Sequence, residues 1–319
     1  MPEIAATVEL DGQYRALRES AGILDRSERG KLRVSGSEAV DYLQGQLTND
    51  LDALSPGEGC YAALLDRKGH MRADLRVLRV GDEELWLDTE EFATGTLLRH
   101  LETYKIGRDV QIEDVTSENA LLSVIGPAAA EVTGAGPLAP EHAHRELDIG
   151  RVRCRAVAAD AGIDLIASGP DANGVLAFLL ETDVVEVTEA AAEILRVESG
   201  RPRFGSEMTE ATIPAEAGID ERAVSFTKGC YIGQETVARL HHRGKPNRHL
   251  RGLRLERPAS GGQEIRLGER AMGSIGTACV SPALGPIALA VVRREAAPGD
   301  RVSVGDQGAS AELVELPFR

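Results

Sequence analysis

Eight consecutive residues, Lys228-Gly229-Cys230-Tyr231-Ile232-Gly233-Gln234-Glu235, bring an ammonium, a thiol, an amide and a carboxylate together around two glycines. A thiolate is the nucleophilic form of cysteine, and nearby cations favour it. Cys230 therefore has three readings: a small buried hydrophobe, a reactive thiol made more acidic by Lys228 and the arginines beyond, or a handling point for a partner's cluster or persulfide. Gly229 and Gly233 favour an exposed loop over packed core. Directly after this run, residues 236–255 hold arginines at 239, 243, 248, 251 and 254, with Lys245, His241, His242 and His249 and no acid. That stretch is either a solvated linker or an anion-binding surface. Its adjacent histidines and lack of acidic ligands give no metal site.

A second chemical candidate is a carboxylate at a helix end. Thr188 reads as the cap of a helix from Glu189 to about Ser199, stopped by Gly200 with Pro202 just beyond. Glu198 falls in the last turn, where the helix dipole disfavours an acid. It is either paired with Arg196, Arg201 or Arg203, or aimed at a ligand beyond the helix. Asp74 sits in a strand, salt-bridged to Arg72 or Arg76 or turned to chemistry. Asn49 forms a turn or binds a ligand.

The elements that must position these groups recur in a repeated order. Lys31 to Val34 reads as a strand, and Ser37 as the cap of a helix through Gln46. Strands follow at Cys60–Leu65, Met71–Val80 and Leu85–Leu87. Asp88 with Glu91 resembles a capping box opening a helix to about Tyr104, and Val110–Val115 closes the unit. The second unit runs through a strand at Leu121–Ile125 and a short helix near Pro127. A hairpin of Arg151–Ala158 with Ile163–Ala167, a helix at Asp171–Leu180 and a strand at Val184–Val187 complete it. Each unit approximates the β-α-β-β-α-β order of ferredoxin-like halves. Beyond Pro246, short apolar runs broken by Gly and Pro read as a small all-β barrel. The fold class is α+β followed by a β-barrel, divided as 1–118, 119–205, a connector at 206–246 with the thiol motif, and 247–319.

Composition narrows the function classes. At 319 residues with 36 basic and 51 acidic side chains, the formal charge is -15, which argues against direct nucleic-acid binding by the whole surface. No Gly-x-Gly-x-x-Gly follows a strand, so a dinucleotide fold has no support. Cys60, Cys154, Cys230 and Cys279 are far apart, which disfavours structural zinc or a self-held iron–sulfur cluster. The other three cysteines lie in apolar strand-like runs and read as core. No secretory signal or bilayer-length apolar segment is visible, so the expectation is a cytoplasmic protein without membrane partners.

Several segments resemble the glycine-cleavage T-protein superfamily. They are Leu47-Thr48-Asn49-Asp50, Pro56-Gly57-Glu58-Gly59-Cys60-Tyr61, the hairpin from Lys68 to Leu75, Arg196-Val197-Glu198-Ser199-Gly200, Pro214-Ala215-Glu216-Ala217-Gly218 and Ser281-Pro282-Ala283-Leu284. The Lys228–Glu235 run is similar to the motif of the YgfZ-type branch, folate-binding proteins linked to iron–sulfur enzyme maturation. The resemblance implies a three-lobed fold binding tetrahydrofolate or a one-carbon derivative. It places Glu198 on the pterin edge, where one carboxylate can accept two hydrogen bonds. It places Asp74 near the reactive folate nitrogen, with Asn49 contacting the ligand. It also makes Lys228, Gly229, Gln234, Glu235 and Arg239 supports of the motif, Arg239 pairing with Glu235.

Three functions follow from these expectations. The first is a folate-dependent accessory factor for iron–sulfur client enzymes, including tRNA-modifying ones, with Cys230 as the working thiol. The second is an aminomethyl or one-carbon transferase, favoured by Asp74 with Glu198; against it, Glu28 stands where T-proteins usually carry histidine. The third is a non-enzymatic scaffold for an anionic partner. One picture underlies the folate readings: Glu198 and Cys230 are expected to serve a common pocket for a reduced pteridine.

Overall fold

The structure is a computed structural model that describes residues 2–318. The chain opens with helix α1 (Pro2–Glu19) and strands β1 (Gly22–Asp25) and β2 (Gly30–Ser35). Then come α2 (Ala39–Gln46), β3 (Gly59–Leu65), β4 (Met71–Arg79), β5 (Glu84–Thr89), α3 (Glu91–Tyr104) and β6 (Gln111–Asp114). The next stretch holds β7 (Asn119–Ile125), α4 (Ala129–Val132), β8 (His144–Ile149), β9 (Val152–Ala159), β10 (Gly162–Ser168), α5 (Ala172–Leu180) and β11 (Val185–Glu186). Helices α6 (Glu189–Ser199), α7 (Pro214–Ala217), α8 (Asp220–Ala223) and α9 (Gln234–Arg243) follow. Strands β12 (Arg248–Leu255), β13 (Glu264–Leu267), β14 (Arg270–Ser281), β15 (Gly285–Arg293), β16 (Arg301–Val304) and β17 (Ala309–Val314) end the chain.

These elements form two compact units. The first holds residues 1–65, 72–191 and 222–232; the second holds 66–71, 192–221 and 233–319.

The first unit contains two sheets of like design. One has the order β3-β4-β5-β2-β6, the other β8-β9-β10-β7-β1-β11. Strand for strand the orders match, except that β1 is inserted beside β7, antiparallel to it and parallel to β11. Each repeat is therefore β-α-β-β-β-α-β, one strand more than the ferredoxin-like pattern expected. Strand β8 was not read from the sequence, and β1 has only four residues in which to show a period. Helix α3 buries Ala93, Leu97 and Leu101, one per turn. The sheets meet through Leu78 and Trp86 against Leu121, Val157 and Ile166.

Two expected helix caps are absent. Helix α2 starts after Glu38 with no side-chain cap, because the Ser37 hydroxyl donates to Asp109 at 2.6 Å. Helix α3 starts after Glu90, also uncapped, and Asp88 lies in β5 as a buried acceptor for Arg29 at 2.7 Å and Arg76 at 2.5 Å. In each case a partner distant in sequence takes the side chain that local pattern assigns to a cap.

The second unit is built on a closed barrel of order β12-β15-β14-β13-β16-β17. Alternate residues fill it: Leu253 and Leu255, Ala288, Ala290 and Val292, Val302 and Val304, and Ala309, Ala311 and Leu313. That period of two sends side chains inward and leaves their neighbours outside. The basic stretch is not a linker: its first half is α9 and its second half is β12. Several of its charges are paired, Arg248 with Glu216 at 2.7 Å and Arg251 with Glu315 at 3.4 Å. Among the described residues no helix is long and apolar enough to cross a membrane.

Candidate functional site

In the first unit the candidate chemistry centres on Asp74 in β4. Its Oδ2 accepts a hydrogen bond from the Tyr61 hydroxyl at 2.7 Å, and its main-chain oxygen accepts from Thr89 Oγ1 at 2.6 Å. Burial raises the Asp74 pKa above the ordinary carboxylate value, while the Tyr61 bond and the Arg29 charge pull the other way. The salt bridges expected with Arg72 or Arg76 are not what holds it. Arg76 instead spans Asp88 at 2.5 Å and Asp164 at 2.6 Å, tying one sheet to the other. Arg29 is clamped by Asp88 and Glu90, both at 2.7 Å. Burial opposes ionisation of Asp88, but these two guanidiniums hold it down at about 2.

Tyr61 is itself partly buried and in contact. Burial, then the charge of Asp74, raises its phenol well above the ordinary value, so it acts as a donor. The Arg222 guanidinium lies 5.0 Å above its ring, within cation–π range, and pairs with Glu141 at 3.1 Å. Tyr61, Arg29 and Arg222 had no role in the sequence reading. The only signal was the presence of Tyr61 and Asp74 on the two strands of one hairpin.

Asn49 belongs to the frame as placed here. Its Nδ2 donates to the carbonyls of Tyr61 at 2.8 Å and Arg222 at 3.0 Å, and its Oδ1 accepts from Asp50 N at 2.9 Å. All of this amide's contacts are to main chain, which fixes β3 against the segment entering the thiol motif.

Lys228 also departs from expectation. Its ammonium is buried and donates to the carbonyls of Gln44 at 2.7 Å, Leu47 at 2.9 Å and Asn49 at 2.7 Å. The last turn of α2 leaves carbonyls without intrahelical partners, and a cation there also meets the negative end of the dipole. Burial lowers the Lys228 pKa to about 8. The ammonium lies 5.4 Å from the buried Tyr231 ring. Lys228 and Tyr231 thus pin a short loop on which Gly229 and Cys230 are exposed. All three hydrogen bonds of the ammonium go to carbonyls at the end of α2 and in the loop beyond it. Of the other cysteines, Cys154 is buried as expected, whereas Cys60 and Cys279 are partly buried; burial pushes each of these two thiols up to about 12.

The rest of the motif lies in the second unit. Gly233 precedes α9 with φ of 87°, a left-handed conformation that suits glycine. Gln234 opens the helix, and Glu235 and Arg239 lie one turn apart on its exposed face. The expected Glu235–Arg239 ion pair is absent among the described residues.

Glu198 is the other carboxylate of interest. It is buried in the last turn of α6, and its Oε1 accepts from the Ser281 hydroxyl at 2.5 Å. Val197 beside it packs on Ile287 and Leu289 of the barrel. Of the basic residues expected around it, Arg196 is turned away to Glu193 at 2.5 Å and Glu207 at 2.9 Å.

Two family models cover nearly all of the chain. Residues 6–228 match the GCVT N-terminal domain, and residues 248–319 match the glycine cleavage T-protein C-terminal barrel domain. The chain belongs to the glycine cleavage T-protein family. It is 27% identical to the aminomethyltransferase of Corynebacterium jeikeium over 97% of this chain and 90% of that protein. Against the Rubrobacter xylanophilus aminomethyltransferase it is 29% identical, over 97% and 86% respectively. The crystal structure of the glycine cleavage system aminomethyltransferase T of Bartonella henselae superposes with a TM-score of 0.87, at 22% identity, covering 97% of this chain and 89% of that one. The T-protein fold expected from the sequence is thereby established: mixed α and β elements with a closed six-stranded C-terminal barrel. The relatives carry the name of the transferase, which was the second of the three functions the sequence suggested.

Proposed function

We propose that this T-protein family member binds tetrahydrofolate or a one-carbon derivative and acts on its one-carbon unit as an aminomethyl-type transferase. The observation that carries this reading is Asp74. A partly desolvated carboxylate, bonded by Tyr61 and facing the Arg29 charge, is poised to hold a proton or to stabilise a cation developing at a folate nitrogen. Glu198 is assigned the pterin edge, where its carboxylate can receive the 2-amino and ring N–H donors together. Titrating tetrahydrofolate against wild type and Glu198→Gln tests the binding half. Losing a charge-assisted bond costs about 1.5–3 kcal/mol, and equal affinities would remove Glu198 from the site. Release of methylene-tetrahydrofolate from an aminomethylated donor tests the transfer half.

A second reading is supported by one specific observation, the exposed Cys230 on a loop pinned by Lys228 and Tyr231. Its motif resembles that of the YgfZ-type branch, and here folate would serve an accessory role toward iron–sulfur client enzymes in the cytoplasm. Cys230→Ser should bind folate as wild type does, yet fail to restore cluster-enzyme activity in cells lacking the protein. Full restoration refutes this role and leaves the transferase.

A further inference from the structure

The donor to Glu198 is itself a buried polar residue of the barrel. Ser281 ends β14 and is 2% exposed. Its Oγ accepts from the main-chain N–H groups of Leu284 at 2.9 Å and Ala283 at 3.1 Å. A hydroxyl has two acceptor lone pairs and one proton. With both lone pairs turned to the Pro282–Leu284 corner, its O–H has one remaining direction, and that direction is Glu198 Oε1 at 2.5 Å. The donor is therefore fixed by the turn, not chosen by rotation of the hydroxyl.

The helix end that carries Glu198 is held as firmly. The Glu198 carbonyl accepts from Phe318 N at 3.2 Å. Gly200, at φ of +73°, closes the helix where any Cβ would stand 2.8 Å from Leu316 Cβ. Cys279, two residues before Ser281 on the same strand, is partly buried, and the Glu198 charge adds to burial in raising its thiol. The barrel thus supplies Glu198 with a strong donor on one carboxylate oxygen, in a place where the helix dipole alone would disfavour the charge.

We propose that Ser281 is a positioning residue for folate recognition: it fixes the Glu198 carboxylate so that the group meets the donor edge of a pterin. The inference rests on the folate reading above and adds to it a barrel residue that need not touch the ligand. Preorganised supporting bonds are what hold a recognition group within the narrow tolerance its ligand requires.

The test is a double-mutant cycle on the full chain, with tetrahydrofolate as the titrant. Ser281→Ala should weaken binding about tenfold, the size of one lost hydrogen bond to a charged group. In a Glu198→Ala background the same substitution should change affinity less than twofold, because nothing is left to position. Ser281→Thr, which keeps the hydroxyl, should recover most of the loss. Ser281→Cys, a weak donor of similar shape, serves if the alanine variant does not fold, and should bind like it. Wild-type affinity in Ser281→Ala, or an equal loss in both backgrounds, overturns the inference and leaves Glu198 as the anchor. No tetrahydrofolate binding by the wild type overturns the folate reading itself, and the role of Ser281 with it.

Discussion

Replacing Lys228 by methionine separates two accounts of the thiol motif. The substitution keeps an unbranched stem beside Tyr231 and removes the charge and all three donors. Three carbonyls lose their partner: Gln44 and Leu47 at the end of α2, and Asn49 in the loop beyond. An unsatisfied buried acceptor costs about 1–3 kcal/mol. Removing the ammonium also removes its desolvation cost, so the three penalties do not add in full. A net loss of about 3 kcal/mol is the expected size for breaking one side of a buried charged contact. With a urea m-value of about 2–3 kcal/mol/M for a chain of this size, the first unit's unfolding midpoint falls by about 1 M. The measurement is urea denaturation of wild type and Lys228→Met, with iodoacetamide labelling of Cys230 at fixed pH alongside. If Lys228 instead exists to activate Cys230, the midpoint stays within about 0.2 M and labelling slows severalfold. That pattern would refute the structural role assigned to the lysine.

Two further expectations concern the first unit. His144 accepts from Arg155 at 3.0 Å on Nδ1 and meets the Glu58 carbonyl at 3.2 Å on Nε2, which requires a neutral ring with its proton on Nε2. Burial, then Arg155, lowers its pKa to about 4. The unfolded chain therefore takes up a proton that the folded chain refuses between about pH 6.5 and 4, and stability falls as the pH drops through that window, by at most about 3 kcal/mol. His144→Gln should flatten the decline in acid denaturation curves; an unchanged slope excludes this histidine as its source. For the transfer reaction, Tyr61→Phe removes the bond that most lowers the Asp74 pKa. The acidic limb of the pH–rate profile then moves to higher pH, and an unmoved limb rules out Asp74 as the titrating group.

What the sequence reveals depends on how local the determining interactions are. The barrel was legible because short apolar runs broken by Gly and Pro are a local property of each strand, as in the run that holds Ala309, Ala311 and Leu313. Helix α3 runs to Tyr104 as read, although the capping box that suggested it is absent and its buried residues, recurring every fourth position, are what hold it. The caps assigned to Ser37 and Asp88 failed because Asp109, Arg29 and Arg76 compete for those side chains from 12 to 72 residues away. Helix α9 was missed because only Val237 is fully buried among its described side chains, with Leu240 half-buried one turn on. A helix with so narrow an apolar stripe reads as a charged coil.

The thiol motif shows the same division inside eight residues. Composition alone gave Lys228 and Cys230 a shared purpose, since a cation near a thiol is the expected arrangement for reactivity. Burial separates them. Lys228 and Tyr231 face inward and Gly233 takes the turn that opens α9, whereas Gly229 and Cys230 face outward. A frame residue is recognised by partners distant in sequence, here the end of α2 some 180 positions earlier, and such partners cannot be read from neighbours. An exposed thiol on a loop held at both ends has no packing reason to be cysteine. Within the motif, Cys230 is therefore the side chain on which the proposed accessory role depends, and the Cys230→Ser variant tests it.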